Sequence, residues 1–209
     1  MREDLYRELQ AISGPVSRET LADLEAFQSE FLRWASRINL AAPSTLPRLW
    51  DRHILDSAQL MPLAPEASRW LDLGSGGGFP GAIIAILISR RSDSQVTLIE
   101  SNRKKAAFLQ TTLAALKAPT RILPRRIEDC YQDVPAPEII TARALAPLSR
   151  LFLLIEPWMR QGARALLHKG RDFQRELEES SDAWRFDLVE HRDKVGDGVI
   201  LEIRDLHRA

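Results

Sequence analysis

The segment Leu71-Asp72-Leu73-Gly74-Ser75-Gly76-Gly77-Gly78-Phe79-Pro80-Gly81 constrains this chain more than any other. Residues 70–73 read as a short apolar strand and residues 79–90 as a helix, so the glycines occupy a strand-to-helix turn. In open α/β sheets, ligands bind outside the carboxyl ends of the strands. Glycines placed there adopt positive φ and let the backbone approach a ligand closely. Pro80 suits the first turn of the helix that follows.

Downstream of this turn the texture alternates. Strands are predicted at 95–100, 120–123, 138–141 and 163–168, with helices at 102–117, from about Pro147, and at 173–181. Such alternation implies right-handed crossovers and a mostly parallel sheet with helices on both faces. Two final strands, 186–192 and 199–204, meet at Gly196-Asp197-Gly198 and predict an antiparallel hairpin closing one edge. Upstream, Leu24, Phe27, Phe31, Trp34 and Ile38 recur at steps of three and four, marking one apolar helix face with Ser17 as its N-cap. A loop at 39–44 precedes a second helix expected from about Thr45, carrying Leu49, Trp50, Ile54 and Leu60. The expected division is an N-terminal helical extension, 1–66, and an α/β domain, 67–209.

Gly76, Gly78 and Gly81 satisfy the G-x-G-x-x-G pattern of a dinucleotide site, which is weak by itself. Framed from the strand end at Gly74 and Gly76, the pattern puts Phe79 where a third small residue belongs. Asp72 stands ahead of the first glycine, where dinucleotide folds bury an apolar side chain. An acid there suits a ligand with a positive amino-acid end, such as S-adenosylmethionine. Glu100, at the end of the second strand, is placed to accept hydrogen bonds from two ribose hydroxyls, as either ligand would require. A dinucleotide-dependent oxidoreductase and a non-catalytic binding module both remain compatible with the turn alone.

The stretch resembles the RsmG (GidB) family of bacterial small-subunit rRNA methyltransferases. Further pieces fit in order: Asn39-Leu40-Ala41-Ala42 with Arg52-His53-Ile54-Leu55-Asp56-Ser57; residues 100–109, from Glu100 to Leu109; Ala142-Arg143-Ala144-Leu145-Ala146-Pro147-Leu148; and Lys169-Gly170. The resemblance spans residues 39–170. Ala142 stands where the family has Ser, Glu100 where Asp is commoner, and His168 where an apolar residue is usual. The resemblance implies a Rossmann-like class I S-adenosylmethionine-dependent methyltransferase fold. It also implies methylation of the N7 position of one guanine, guanine 527, in 16S rRNA, free or in the small ribosomal subunit. Cofactor contacts would fall on Gly74, Gly76, Phe79, Glu100, Ile127, Glu128 and Arg143.

The residues agree with that chemistry. The purine nitrogen N7 carries an in-plane lone pair and attacks a methyl donor without losing a proton, so no general base is required and alignment suffices. No N-P-P-Y type motif occurs, and the single cysteine, Cys130, reads as a packing residue rather than a nucleophile. One cysteine also leaves no disulfide framework and no multi-cysteine metal site.

Lys and Arg together number 29, as do Asp and Glu. Bulk attraction to RNA is therefore absent, and a local basic patch must hold any polyanion. Arg52, His53, Arg125, Arg126 and Lys169 are the candidate RNA contacts, with Arg171 beside them. Arg52 and His53 with Asp56 and Ser57 read equally as a clamp between the helical extension and the sheet. Arg103, Lys104 and Lys105 read as a solvated helix face. The charged N-terminus lacks the apolar core of a signal peptide, and the longest apolar run, 82–88, is too short to span a bilayer. A cytoplasmic monomer without membrane contact is the expectation.

Overall fold

The computed structural model describes residues 2–209. Seven strands form one sheet: β1 (Arg69–Leu73), β2 (Gln95–Ile99), β3 (Thr120–Leu123), β4 (Ile139–Arg143), β5 (Arg164–Lys169), β6 (Trp184–Arg192) and β7 (Val199–Arg208). Their order is β3-β2-β1-β4-β5-β7-β6. The first five are parallel, while β7 runs antiparallel to both β5 and β6. The chain winds outward from β1 through β3, then returns to lay β4 on the other side of β1. The order thus reverses between β1 and β4, and their carboxyl ends flank a crevice.

The strands are apolar on both faces because helices cover both. Trp70, Val96, Leu98 and Ile139 belong to one core cluster, and Leu71, Leu73, Ile99 and Ile140 to the other, following the period of two along each strand. The first cluster includes Leu9 of α1 (Arg2–Ser13) and Leu21, Leu24, Phe27 and Phe31 of α2 (Arg18–Ala35). Apolar packing is therefore continuous from the N-terminal helices into the sheet. Ser17 caps α2, its side chain accepting from the Thr20 N–H at 3.1 Å.

Between residues 43 and 63 the expected second helix is replaced by shorter pieces. A 3₁₀ stretch (Pro43–Arg48) leads into a π-helical stretch (Trp50–Leu55), then α3 (Asp56–Ala58) and another 3₁₀ turn (Met61–Leu63). Pro47, inside the expected helix, withholds a backbone donor and crowds the preceding turn. Burial of Trp50, Ile54 and Leu55 holds the irregular segment against the core. π-Helical turns recur at functional sites, and this one carries His53.

The helix after the glycines, α4 (Gly81–Leu87), is shorter than expected, with Pro80 just outside it as the N-cap residue. α5 (Arg103–Ala115), α6 (Leu148–Met159) and α7 (Phe173–Ser181) follow β2, β4 and β5. Cys130 ends a 3₁₀ turn rather than sitting in a helix, and it is fully buried in the second core cluster. The closing hairpin is longer than predicted, since β6 begins at Trp184 and β7 runs to Arg208. Among the described residues, no helix is long and apolar enough to cross a membrane.

Candidate functional site

Three connected clefts open along the carboxyl ends of the strands. The first, of about 310 Å³, is lined by Gly74, Gly76, Glu100, Lys105, Arg126, Ile127, Glu128, Leu145 and Arg150, among others. Gly74 and Gly76 adopt positive φ, 64° and 57°. That conformation turns the chain back after β1 and leaves backbone, not side chain, facing the cleft. A Cβ on Gly74 would come within 2.5 Å of the Leu145 side chain, which covers this end of the turn.

Glu100 fixes the loop from the neighbouring strand end. Its Oε2 accepts from the Gly76 N–H at 2.7 Å and its Oε1 from the Asn102 N–H at 2.6 Å. Both oxygens keep lone pairs for a ligand, because a carboxylate accepts about four bonds. Ile127 is 8% exposed and serves both the core and the cleft wall. Glu128 is exposed and pairs with Arg150 of α6 at 2.5 Å, bridging two walls of the cleft.

Asp72 lies elsewhere than its position in the motif suggested. The β1–β4 register sets Asp72 beside Thr141 on one sheet face, and the Thr141 hydroxyl donates to its Oδ1 at 2.8 Å. Only 1% of Asp72 is exposed, and its carboxylate packs beneath Gly81 at the start of α4. Burial raises its pKa to about 6, against the pull of hydrogen bonds from Ser75 and Thr141. Asp72 therefore supports the turn from below and does not line the three clefts.

The second cleft, of about 260 Å³, shares Gly74 and Gly76 with the first. The third, of about 390 Å³, shares Thr45, His53, Arg143 and Ala144 with the second. Arg143 stands at the junction. Its guanidinium donates to Asp56 Oδ2 at 2.6 Å, to the Arg52 carbonyl at 3.2 Å and to His53 Nδ1 at 2.6 Å. A guanidinium has no lone pair to offer, so His53 Nδ1 is the acceptor. The His53 proton then sits on Nε2 and is donated to Thr45 Oγ1 at 3.0 Å, whose hydroxyl passes its own to the Ala42 carbonyl at 2.8 Å. Burial, and then the charge of Arg143, hold the His53 pKa down at about 4, so the ring is neutral near pH 7.

Phe79 is the floor under this junction. The His53 ring stacks on it with centroids 4.8 Å apart, and the Arg143 guanidinium lies 5.3 Å from the ring centre. Its remaining contacts go to Phe27 and Phe31 of α2. Ala144, immediately after Arg143, has φ of 51°. A left-handed conformation outside glycine costs about 1 kcal/mol, and such strain clusters at sites where it sets geometry.

His53 thus enters the clamp, with both ring nitrogens engaged, and Arg52 lines the third cleft. Arg125 and Arg126 both line the first cleft, and Arg125 also pairs with Asp133 at 2.7 Å. Lys169 turns inward: its ammonium meets Glu176 at 2.6 Å and the Ala146 carbonyl at 3.1 Å, with 9% of the side chain exposed. His168 explains its departure from the family pattern, since its Nε2 lies 3.0 Å from the Asp56 carbonyl. The ring reinforces the clamp from below, and burial lowers its pKa.

Several participants carry no signal in the sequence. Glu176 of α7 accepts from the Leu148 N–H at 2.6 Å, tying the first turn of α6 to Lys169. Gln59 links Asp56 to Asp193, and Asp193 holds the Val195 and Gly196 N–H groups that form the wall of the third cleft. Each joins positions far apart in the chain, and although Gln59 and Asp193 fall near motifs, neither partner can be read from its own segment.

A sheet of order β3-β2-β1-β4-β5-β7-β6 with β7 antiparallel, and with a glycine turn and an acidic strand end at its crevice, has the class I methyltransferase fold. Solved structures agree at the level of fold. A mutant of MtNAS in complex with S-adenosylmethionine superposes with TM-score 0.56 at 15% identity, covering 87% of this chain and 71% of that one. Aeropyrum pernix fibrillarin with natively bound S-adenosyl-L-methionine gives 0.52 at 16% identity, covering 66% of each. The family model for rRNA small subunit methyltransferase G (GidB) matches residues 20–197, and the chain belongs to this family. Ribosomal RNA small subunit methyltransferase G of Chelativorans sp. (strain BNC1) is 68% identical over the full length of both chains. That of Brucella canis is 52% identical over 97% of this chain and 96% of its own.

Proposed function

We propose that this chain transfers a methyl group from S-adenosylmethionine to N7 of a guanine in 16S rRNA, guanine 527 by the family's pattern, acting in the cytoplasm as a monomer. Family membership supplies the substrate class. The observation that carries the finer reading is the engagement of the polar groups at the cleft junction. His53 Nδ1 accepts from Arg143, Asp56 accepts from Arg143 and Gln59, and the His53 Nε2–H is given to Thr45. These bonds hold Arg143 in place and occupy the one lone pair of the junction's neutral imidazole. Such a junction suits an acceptor that already has a lone pair, as guanine N7 does.

The first cleft fits the cofactor. Gly74 and Gly76 present backbone to it, Glu100 faces the position of a ribose, and Ile127 with Glu128 offer an apolar wall and an acid for the adenine edge. When bound, the cofactor supplies a methyl group on a sulfonium centre. The residues of the chain align and shield. Gly74 and Gly76 allow close approach at the end nearest Arg143, and Leu145 covers that end against water. Arg143, fixed on Phe79 by three bonding partners, orients the purine that enters from the second cleft. Alignment of this kind is worth several kcal/mol of barrier without proton transfer.

The test is methylation of small ribosomal subunits from a strain lacking this protein, using the purified chain and labelled S-adenosylmethionine. Mass spectrometry of the digested 16S rRNA is expected to show one new 7-methylguanosine. Label on another atom or another base would overturn the assignment.

A further inference from the structure

A fourth cleft, of about 430 Å³, opens beside the second and is lined by Arg37, Ile38, Asn39, Asn102, Lys104 and Lys105. Its polar side chains are three cations and two amides, with no carboxylate. We propose that this cleft seats backbone phosphates of the rRNA next to the target nucleotide, with Arg37, Lys104 and Lys105 as the contacts. The inference rests on the RNA methyltransferase reading and adds to it a docking surface.

Three observations carry it. The first is pairing. The chain has as many acidic as basic residues, and most of its arginines are bonded to carboxylates or carbonyls. Arg37, Lys104 and Lys105 instead have no ion pair among the described residues, although they share one cleft. Cations gathered without an acid repel one another, and a polyanion removes that repulsion while releasing counterions.

The second is helix polarity. The first turn of α5 contains Arg103, Lys104 and Lys105 and no acidic residue. The N-terminal end of a helix carries partial positive charge and favours acids. Basic residues there break a local rule without a gain inside the fold, and such breaches mark functional surfaces.

The third is rigidity and position. Lys104 and Lys105 lie one turn ahead of Phe108, and Arg37 lies just past Trp34 at the end of α2. The Trp34 and Phe108 rings pack 5.7 Å apart, and Phe27 and Phe31 also contact Phe108. This aromatic cluster pins the three cations to one opening. Lys105 also lines the first and second clefts, so the phosphate seat is continuous with the reaction site. The expectation of a merely solvated face for residues 103–105 gives way on this placement, because Arg37 comes from a different part of the chain.

The test is equilibrium binding of purified protein to small ribosomal subunits across a salt series, with S-adenosylhomocysteine affinity as the check of folding. The double variant R37A/K104A is expected to weaken subunit binding about tenfold or more at moderate salt. It should also reduce the slope of log affinity against log salt by about two, close to one for each cation removed. R37K/K104R should restore the slope. R160A, which removes an arginine at the end of α6 on the other side of the sheet, should leave it unchanged. A wild-type slope in R37A/K104A, with homocysteine-adduct affinity retained, would overturn the proposal. Because binding is read without methyl transfer, a wild-type chain that docks with the expected slope yet modifies no guanine would refute the activity while supporting the seat.

Discussion

Arg143 donates to Nδ1 of His53 at 2.6 Å, across 90 residues of sequence, and this contact joins the irregular segment of the helical extension to the end of β4. It fixes the guanidinium, the imidazole tautomer and the opening between two clefts together. Arg143→Ala is expected to lower kcat by a hundredfold or more while S-adenosylhomocysteine binding persists. The variant also leaves Asp56 without its cation, a loss of about 3 kcal/mol for a largely buried pair. Turnover and calorimetric binding, measured below the lowered melting temperature, separate the two effects. Arg143→Lys cannot reproduce the fork to Asp56 and His53, and near wild-type turnover in that variant would contradict the clamp.

The histidine gives the clamp a pH dependence. The folded ring holds its pKa near 4, whereas the unfolded chain has the ordinary value near 6.5. Between those values the unfolded state binds more protons, so stability rises with pH across the window and is lost as pH falls through it. Solvent at the open side of the ring screens part of the effect, which leaves about 1–2 kcal/mol by pH 4. Buried His168 adds in the same direction. Asp72 works oppositely: its pKa, raised to about 6, lets the folded state keep a proton longer, so its contribution falls as pH rises from about 4 to 6. The difference in stability between wild type and His53→Asn isolates the histidine. That difference should shrink steadily from pH 7 to pH 4.5 in denaturant titrations, and a constant difference would show that the ring titrates normally.

Glu100 holds two loops through charge-assisted bonds to the Gly76 and Asn102 N–H groups. Glu100→Gln keeps the shape but replaces one acceptor with a donor facing another donor. Bonds to charged groups are worth about 1.5–3 kcal/mol. S-adenosylhomocysteine affinity should therefore fall by about ten- to a hundredfold with the fold retained. Unchanged affinity by calorimetry would remove Glu100 from the cofactor site.

The glycines divide into two roles. At Gly76 a Cβ would meet only the Gly74 carbonyl oxygen, at an ordinary 3.7 Å, so Gly76→Val obstructs the ligand and strains the positive φ. Cofactor binding should disappear from a protein that still folds. At Gly77 a Cβ would lie 2.8 Å from both the Leu40 carbonyl and the Phe31 ring. Gly77→Ala should instead destabilise the packing of the N-terminal helices, lowering the melting temperature by several degrees. Melting curves and binding isotherms of the two variants should show opposite patterns.

Local pattern determined much of this protein. Short apolar runs specify β1 through β5 and helical apolar patterns α2 and α5, because burying apolar surface is a requirement each segment meets with its own side chains. The 71–81 turn likewise announces itself, since a sharp reversal at a strand end demands glycine. Tertiary structure decided the rest. Asp72 is beneath the turn rather than in the cleft because strand register, invisible in one segment, sets it against Thr141. His53 became a clamp, Lys169 faced inward toward Glu176, and Arg37 joined Lys104 and Lys105, because each partner is brought in by a different stretch of chain. A charge read along the sequence reveals its sign, but its role follows from which opposite charge, ring or opening the fold sets beside it.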